Sequence, residues 1–123
     1  ANNPCQMAVI EALKGPKDHL ERMNSKLKVR RDYTVKRINS IPGLSTASPK
    51  GAFYIFPRID SKHWTNDQDF VLDILNNCHV LLVPGHGFDE VYGKMHFRAV
   101  FLPPVETLAT AFDAIEDYMN KVA

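Results

Sequence analysis

The stretch VPGHGFDEVYGKMHFRAVFLPP, residues 83–104, reads as a strand end, a loop bearing Gly85, Gly87 and Gly93, and a second strand centred on Arg98. Side chains alternate across a strand, so Phe97, Ala99 and Phe101 fall on one face and His96, Arg98 and Val100 on the other. A guanidinium is thereby placed mid-strand among apolar neighbours. Burying a cation is costly unless an anion meets it, and the planar fork of Arg matches a carboxylate with two parallel hydrogen bonds. Residue chemistry alone leaves two roles open: a structural ion pair with an Asp or Glu elsewhere in the chain, or a socket for a ligand carboxylate.

Working outward, the apolar run 80–83, bounded by Pro84 and Gly85, predicts a strand. On the other side Pro104 and Glu106 open a helix whose apolar residues Val105, Leu108, Phe112, Ile115, Met119 and Val122 recur three and four apart. Upstream, Thr65 and Gln68 form a capping-box pattern for a helix with the stripe Phe70, Val71, Ile74 and Leu75, preceded by a polar loop containing Trp64. Residues 52–56 are aromatic-rich and strand-like, residues 44–48 read as a short edge strand, and the turn of Pro49, Lys50 and Gly51 allows the two to pair as a hairpin.

At the start, Asn3 is expected to cap a short helix with Pro4 at its first position and Gly15 just past its end. Ala8, Val9, Ile10, Ala12 and Leu13 cover most of its circumference, a pattern that calls for cover from another domain or subunit in a chain this short. Pro16 and Asp18 open a second helix, with Leu20, Met23, Leu27, Thr34, Ile38 and Ile41 in stripe until Pro42 and Gly43 stop it. Its span of about 25 residues is roughly 37 Å at helical rise. The resulting order, with short connections, predicts an α+β domain: a small antiparallel-rich sheet covered by helices. The chain begins at Ala1 without an initiator Met, which leads to the expectation that it was cut from something longer.

Composition narrows the function. With 123 residues, 45% hydrophobic and 24% charged, the chain suits one domain with a modest core. A formal net charge of +1 argues against nucleic acid or a membrane surface as main partner. The basic run of Lys26, Lys28, Arg30, Arg31, Lys36 and Arg37 is interleaved with Asp18, Glu21 and Asp32 and reads as a solvated helix face. Cys5 and Cys78 form no CxxC pair, which points to free thiols and a reducing, cytoplasmic compartment. No apolar run approaches the roughly 20 residues that cross a bilayer. His79, His86 and His96 with Cys78 lack metal-ligand spacing, and the glycines of 85–93 make neither GxGxxG nor GxxxxGK[ST]. No Ser, His and Asp arrangement supports a triad.

Three segments taken together carry a resemblance. PKGAFYIFPRI (49–59), VPGHGF (83–88) and HFRAVFLPP (96–104), in this order and at these separations, resemble the C-terminal small domain of fold-type I, class I/II aminotransferases, enzymes that depend on pyridoxal 5'-phosphate. The likeness is greatest to alanine aminotransferases of the archaeal kind. NNPCQ (2–6), with the small-residue helix after it, is similar to the piece of that family lying just after the cofactor-binding lysine. The resemblance implies that residues 1–15 follow the large, cofactor-binding domain and that residues 16–123 are the small domain of an aspartate-aminotransferase-like fold.

It also implies roles. Arg98 would grip the substrate α-carboxylate, Gly87 and Phe88 would belong to the loop that closes over the substrate, and Gly51 and Phe53 would lie in a strand near the active-site mouth. The chain departs from the family pattern at Asp89, where Gly is common, and at Lys50, where Gln is common. Lys50 stands in a turn and in the wrong motif to be the cofactor lysine. That lysine, the catalytic groups and every cofactor-binding residue would belong to the large domain, so no catalytic, cofactor-binding or metal-binding residue is assigned in this chain, which alone is expected to be inactive. The parent would be a homodimer moving an amino group between an amino acid, alanine, and a 2-oxo acid, 2-oxoglutarate. Two rivals are a non-catalytic binding module with the same fold, and a lyase or synthase on the same cofactor fold.

Overall fold

Asn2, not Asn3, starts the first helix: its side chain accepts a hydrogen bond from the Cys5 N–H at 3.0 Å. The computed structural model describes residues 2–122; Ala1 and Ala123, the outer ends of the two expected segments, lie outside the described residues. Helix α1 (Asn3–Lys14) ends where the Gly15 N–H reaches Glu11 O at 2.7 Å. Its apolar face is uncovered, with Leu13 71% and Met7 61% exposed and no residue of the helix buried. Lys17 then folds back to donate to the carbonyls of Ala12 and Leu13, satisfying two of the orphan acceptors at the end of α1.

Helix α2 (Asp18–Ser40) runs unbroken through its basic middle. Its first half is bare, Leu20 and Met23 included, whereas Thr34, Ile38 and the following Ile41 are buried. The basic run is not a purely solvated face. Arg37 pairs with Asp113 at 2.6 Å and Glu116 at 3.0 Å on helix α4 (Val105–Val122), and Arg30 donates to the Leu102 carbonyl.

The expected hairpin does not form. Strand β1 (Leu44–Ser45) pairs antiparallel with β3 (Arg58–Ile59), while β2 (Tyr54–Ile55) crosses to pair with β5 (Phe97–Val100). Pro57 separates β2 from β3, because its ring fixes φ and removes a donor. Its carbonyl still accepts from Phe97 N at 3.0 Å, so the small β1–β3 sheet is tied to the larger one. The larger sheet has the order β2-β5-β4, with β4 formed by Val83–Pro84, and is antiparallel throughout. The strand expected over 80–83 is reduced to β4 (Val83–Pro84), since a left-handed turn at His79 (φ 57°) leads into a connection that leaves Leu81 77% exposed.

Helix α3 (Asp67–Cys78) is capped by Asn66, whose side-chain oxygen accepts from Asp69 N at 2.7 Å; Thr65 is not the cap. Phe70, Val71 and Ile74 are buried as expected and Leu75 only half so. Trp64 is not a loop residue in solvent: it is buried edge-on to Phe70, and its Nε1–H donates to Asp73, which also accepts from Tyr118 of α4 at 2.9 Å. Leu108, Phe112, Ile115 and Met119 of α4 are buried at the spacing read from the sequence. Helices α2, α3 and α4 cover one face of the sheet. Ile55, Phe97, Ala99 and Phe101 point into this core, with Phe97 5.1 Å from Phe70 between ring centroids. The fold is α+β, and it leaves the opposite sheet face bare.

Candidate functional site

That bare face is where Arg98 stands. The alternation read from the sequence holds: Phe97, Ala99 and Phe101 are buried, Arg98 is half-buried and Val100 exposed. The register places Val83 of β4 opposite Arg98 and Tyr54 of β2 opposite Val100. Around the guanidinium the surface is aromatic. Its Cζ lies 4.6 Å from the centroid of the Phe88 ring and 5.6 Å from that of Tyr54, within cation–π reach of both. Phe88 stands edge-on to Phe56 at 5.9 Å, and Phe56 stacks flat on His96 at 5.3 Å.

No Asp or Glu among the described residues pairs with Arg98, and its buried Nε has no hydrogen-bond partner. Of the two roles open to it, the structural ion pair is not made here. A charged donor left unsatisfied at depth costs about 1–3 kcal/mol or more, and no partner among the described residues offsets that cost at the Arg98 Nε. Rings on its flanks keep water away and strengthen any ion pair made there.

The loop over residues 85–96 is held by its own backbone. Gly85 and Gly93 approach so closely that a Cβ on Gly85 would stand 2.3 Å from Gly93 O and one on Gly93 2.2 Å from Gly85 O. Hydrogen bonds from Gly85 N to His96 O and from Phe88 N to Gly85 O, both 2.9 Å, fix the bend. Asp89, at the position of the departure, accepts from Tyr92 N at 2.7 Å and Val91 N at 2.8 Å, and these bonds hold its carboxyl below the usual range.

The structure therefore brings Phe88 to Arg98. Gly87 is the exposed link that turns the chain between His86 and Phe88. Phe53 is one step removed: its ring packs edge-on against Tyr54 at 6.0 Å, and its carbonyl accepts from Phe101 N at 3.0 Å. Gly51 is not brought to Arg98. It lines a separate groove with Lys28, Arg31 and Lys50, just before the left-handed Ala52 (φ 62°). Sequence reasoning missed Phe56 and His96 as ring neighbours, and also Asp67, buried beneath His86.

Residues 2–115 match the family described as Aminotransferase class I and II. The chain belongs to this family. It is 36% identical over 98% of its length to glutamate-pyruvate aminotransferase AlaA of Escherichia coli (strain K12), and 34% identical over 96% to an alanine aminotransferase of Mycobacterium tuberculosis (strain H37Rv). Its fold superposes on an alanine aminotransferase from Pyrococcus furiosus with a TM-score of 0.94 and 57% identity, covering 98% of this chain. The chain spans about 30% of the length of these relatives: 30% of the E. coli protein, 28% of the mycobacterial one and 30% of the Pyrococcus chain.

Class I and II aminotransferases depend on pyridoxal 5'-phosphate. The described residues do not fit that group. Every lysine of the chain is exposed, none in the desolvated surroundings that turn an amine into an anchoring nucleophile, and Lys50 lies in an exposed turn. Among the described residues no cluster of His, Cys, Asp or Glu could hold a metal, and no helix is long and apolar enough to cross a membrane.

Proposed function

We propose that this stretch is the small domain of an aminotransferase that moves an amino group between alanine and 2-oxoglutarate, and that Arg98 grips the α-carboxylate of both substrates. The observation that carries the reading is the unpaired Arg98 fork, with its orphaned Nε, on an aromatic sheet face. Two parallel N–H···O bonds from a guanidinium to a carboxylate fix orientation as well as position, which is what a reaction at the adjacent Cα requires. Phe88 and its neighbour Gly87 flank that carboxylate from the loop, Phe53 borders the approach just before β2, and Gly51 stands further out in the groove beside Lys50. The names of the alanine and glutamate-pyruvate aminotransferases it resembles support the substrate pair.

Residues 1–15 are the segment that follows the large domain in this reading, and residues 16–123 the small domain; the uncovered face of α1 suits such a junction. The large domain supplies the cofactor's anchor, and with it the electron-withdrawing chemistry. The whole protein acts as a cytoplasmic homodimer. Steady-state kinetics on the protein extended to the length of its relatives test the reading. Arg98→Ala should raise KM for alanine and for 2-oxoglutarate together, and unaltered KM for both would overturn it.

A further inference from the structure

Asp67 is an ordinary first-turn acid by its place in α3, yet it is 3% exposed, and both side-chain hydrogen bonds it accepts come from one residue. His86 donates its backbone N–H at 2.9 Å and its ring Nδ1 at 2.7 Å to the same Oδ2. A carboxylate can only accept, so Nδ1 carries the hydrogen. Burial pushes the Asp67 carboxyl up, but hydrogen bonding, led by the two bonds from His86 and including its own backbone N–H, holds the group below its ordinary range. His86 stands between Gly85, whose carbonyl and N–H fix the base of the loop, and Phe88, whose ring lies on the Arg98 guanidinium. The loop is thus fastened on one side to α3 and meets Arg98 on the other.

We propose that Asp67 and His86 are positioning residues: they latch the 85–96 loop onto the start of α3 and thereby hold Phe88 over Arg98, setting the affinity of the site for a monocarboxylate. The inference rests on the carboxylate role of Arg98 proposed above. Without the latch the loop keeps its backbone bonds at Gly85 and Gly93 but loses its tether to the helix layer. Phe88, half-exposed and with Phe56 as its one other ring neighbour among the described residues, then leaves the guanidinium to water. A hydrated guanidinium binds carboxylate more weakly than one flanked by rings.

The test uses the full-length holoenzyme and the inhibition constant of propionate, a carboxylate with no amino group to react. Asp67→Ala, which removes both bonds, should raise that constant about tenfold, and His86→Ala, which removes the ring bond and keeps the backbone N–H bond of residue 86, should raise it less, about threefold. His86→Asn, which puts an amide N–H near the place of Nδ1, should restore most of the affinity. In a Phe88→Ala background neither latch substitution should have a further effect, because the latch acts through that ring. An unchanged constant in folded His86→Ala enzyme overturns the proposal, as does full additivity with Phe88→Ala. The His86 side chain is half-exposed and its truncation keeps the backbone N–H of residue 86 on Asp67, so this arm stands even where Asp67→Ala fails to fold. A purely structural role would lower the melting temperature and leave the inhibition constant of the folded enzyme unmoved, which also overturns it. Arg98→Ala separates the two levels: no effect of that variant sinks the carboxylate reading itself, whereas an effect of Arg98→Ala with none of His86→Ala sinks the latch alone.

Discussion

The Arg98 guanidinium lies 4.6 Å from the Phe88 ring and forms no ion pair with any described residue. A charge that serves the fold would have an acid beside it, and losing one partner of such a buried pair costs about 3–5 kcal/mol. Arg98 has none, so the hypothesis separates stability from binding. Arg98→Lys keeps the charge and loses the fork. It should raise KM for amino acid and oxo acid alike and lower kcat, because a substrate held at one point is misaligned at Cα. Arg98→Ala should leave the melting temperature nearly unmoved. A large loss of stability with unchanged KM in the surviving enzyme would rule out the clamp.

The loop makes a second, purely steric prediction. At Gly85 an added Cβ would meet Gly93 O at 2.3 Å and His96 O at 2.7 Å, all backbone, whereas at Gly87 the nearest atom, Pro84 O, is 3.7 Å away. Gly85→Ala should therefore destabilise by about 2 kcal/mol or more, in the range of strain and overpacking. Gly87→Ala should fall within about 0.5 kcal/mol of the parent, as an open surface change does. Denaturant unfolding of the two variants checks it, and equal losses would show that the close backbone approach is not what demands glycine at Gly85.

What the sequence made legible was local. The stripe of α4 and the two-sidedness of β5 follow from periods of 3.6 and 2, so Leu108, Phe112, Ile115, Met119 and Arg98 were placed correctly without any partner in view. Pairing was not legible in the same way. The aromatic run 52–56 and Ile59 beyond Pro57 both suit a strand, and nothing in residues 44–59 says that Tyr54 seeks Val100, more than forty positions on, while Ile59 seeks Leu44. The cap of α3 was misread by one residue because Thr65 and Asn66 are both competent caps. Asp67 was passed over because an acid in a first turn needs no other reason to be there, and only the fold brings His86 against it. The motif that carries Gly51 implies a strand near the mouth of the site, yet the left-handed Ala52 follows it directly and Gly51 lies in a separate groove with Lys28, Arg31 and Lys50.

The exposure of every lysine leads to a chemical prediction for the stretch by itself. Mixed with pyridoxal 5'-phosphate and reduced with borohydride, it should give scattered, substoichiometric modification across its surface amines and no turnover of alanine. Peptide mapping after reduction is the readout. One lysine modified to completion ahead of the rest would mean that the chain carries an anchoring site after all.

The last prediction follows from Asp67. Burial raises its carboxyl, and hydrogen bonding, led by the His86 N–H and Nδ1 and including its own backbone N–H, more than reverses this, so its folded pKa lies below that of the unfolded chain. The sign follows by linkage. A depressed acid binds its proton more tightly in the unfolded state, so its stabilisation is complete above the unfolded value of about 3.9 and is lost as pH falls through the folded value beneath it. Asp67→Asn removes the titration while keeping an oxygen that can accept from the His86 N–H. The stability gap between parent and variant should thus be constant from pH 7 to about pH 5 as far as Asp67 itself is concerned, and should close progressively below about pH 4. His86 is the other titratable group of the pair, so the comparison is repeated in His86→Asn, where the gap should be smaller and still close in the same direction. Urea unfolding of the four proteins across this range measures it. A gap that widens on acidification would mean that burial outweighs the hydrogen bonds, and that Asp67 is held in the fold as a strained acid and not as the fixed end of the loop.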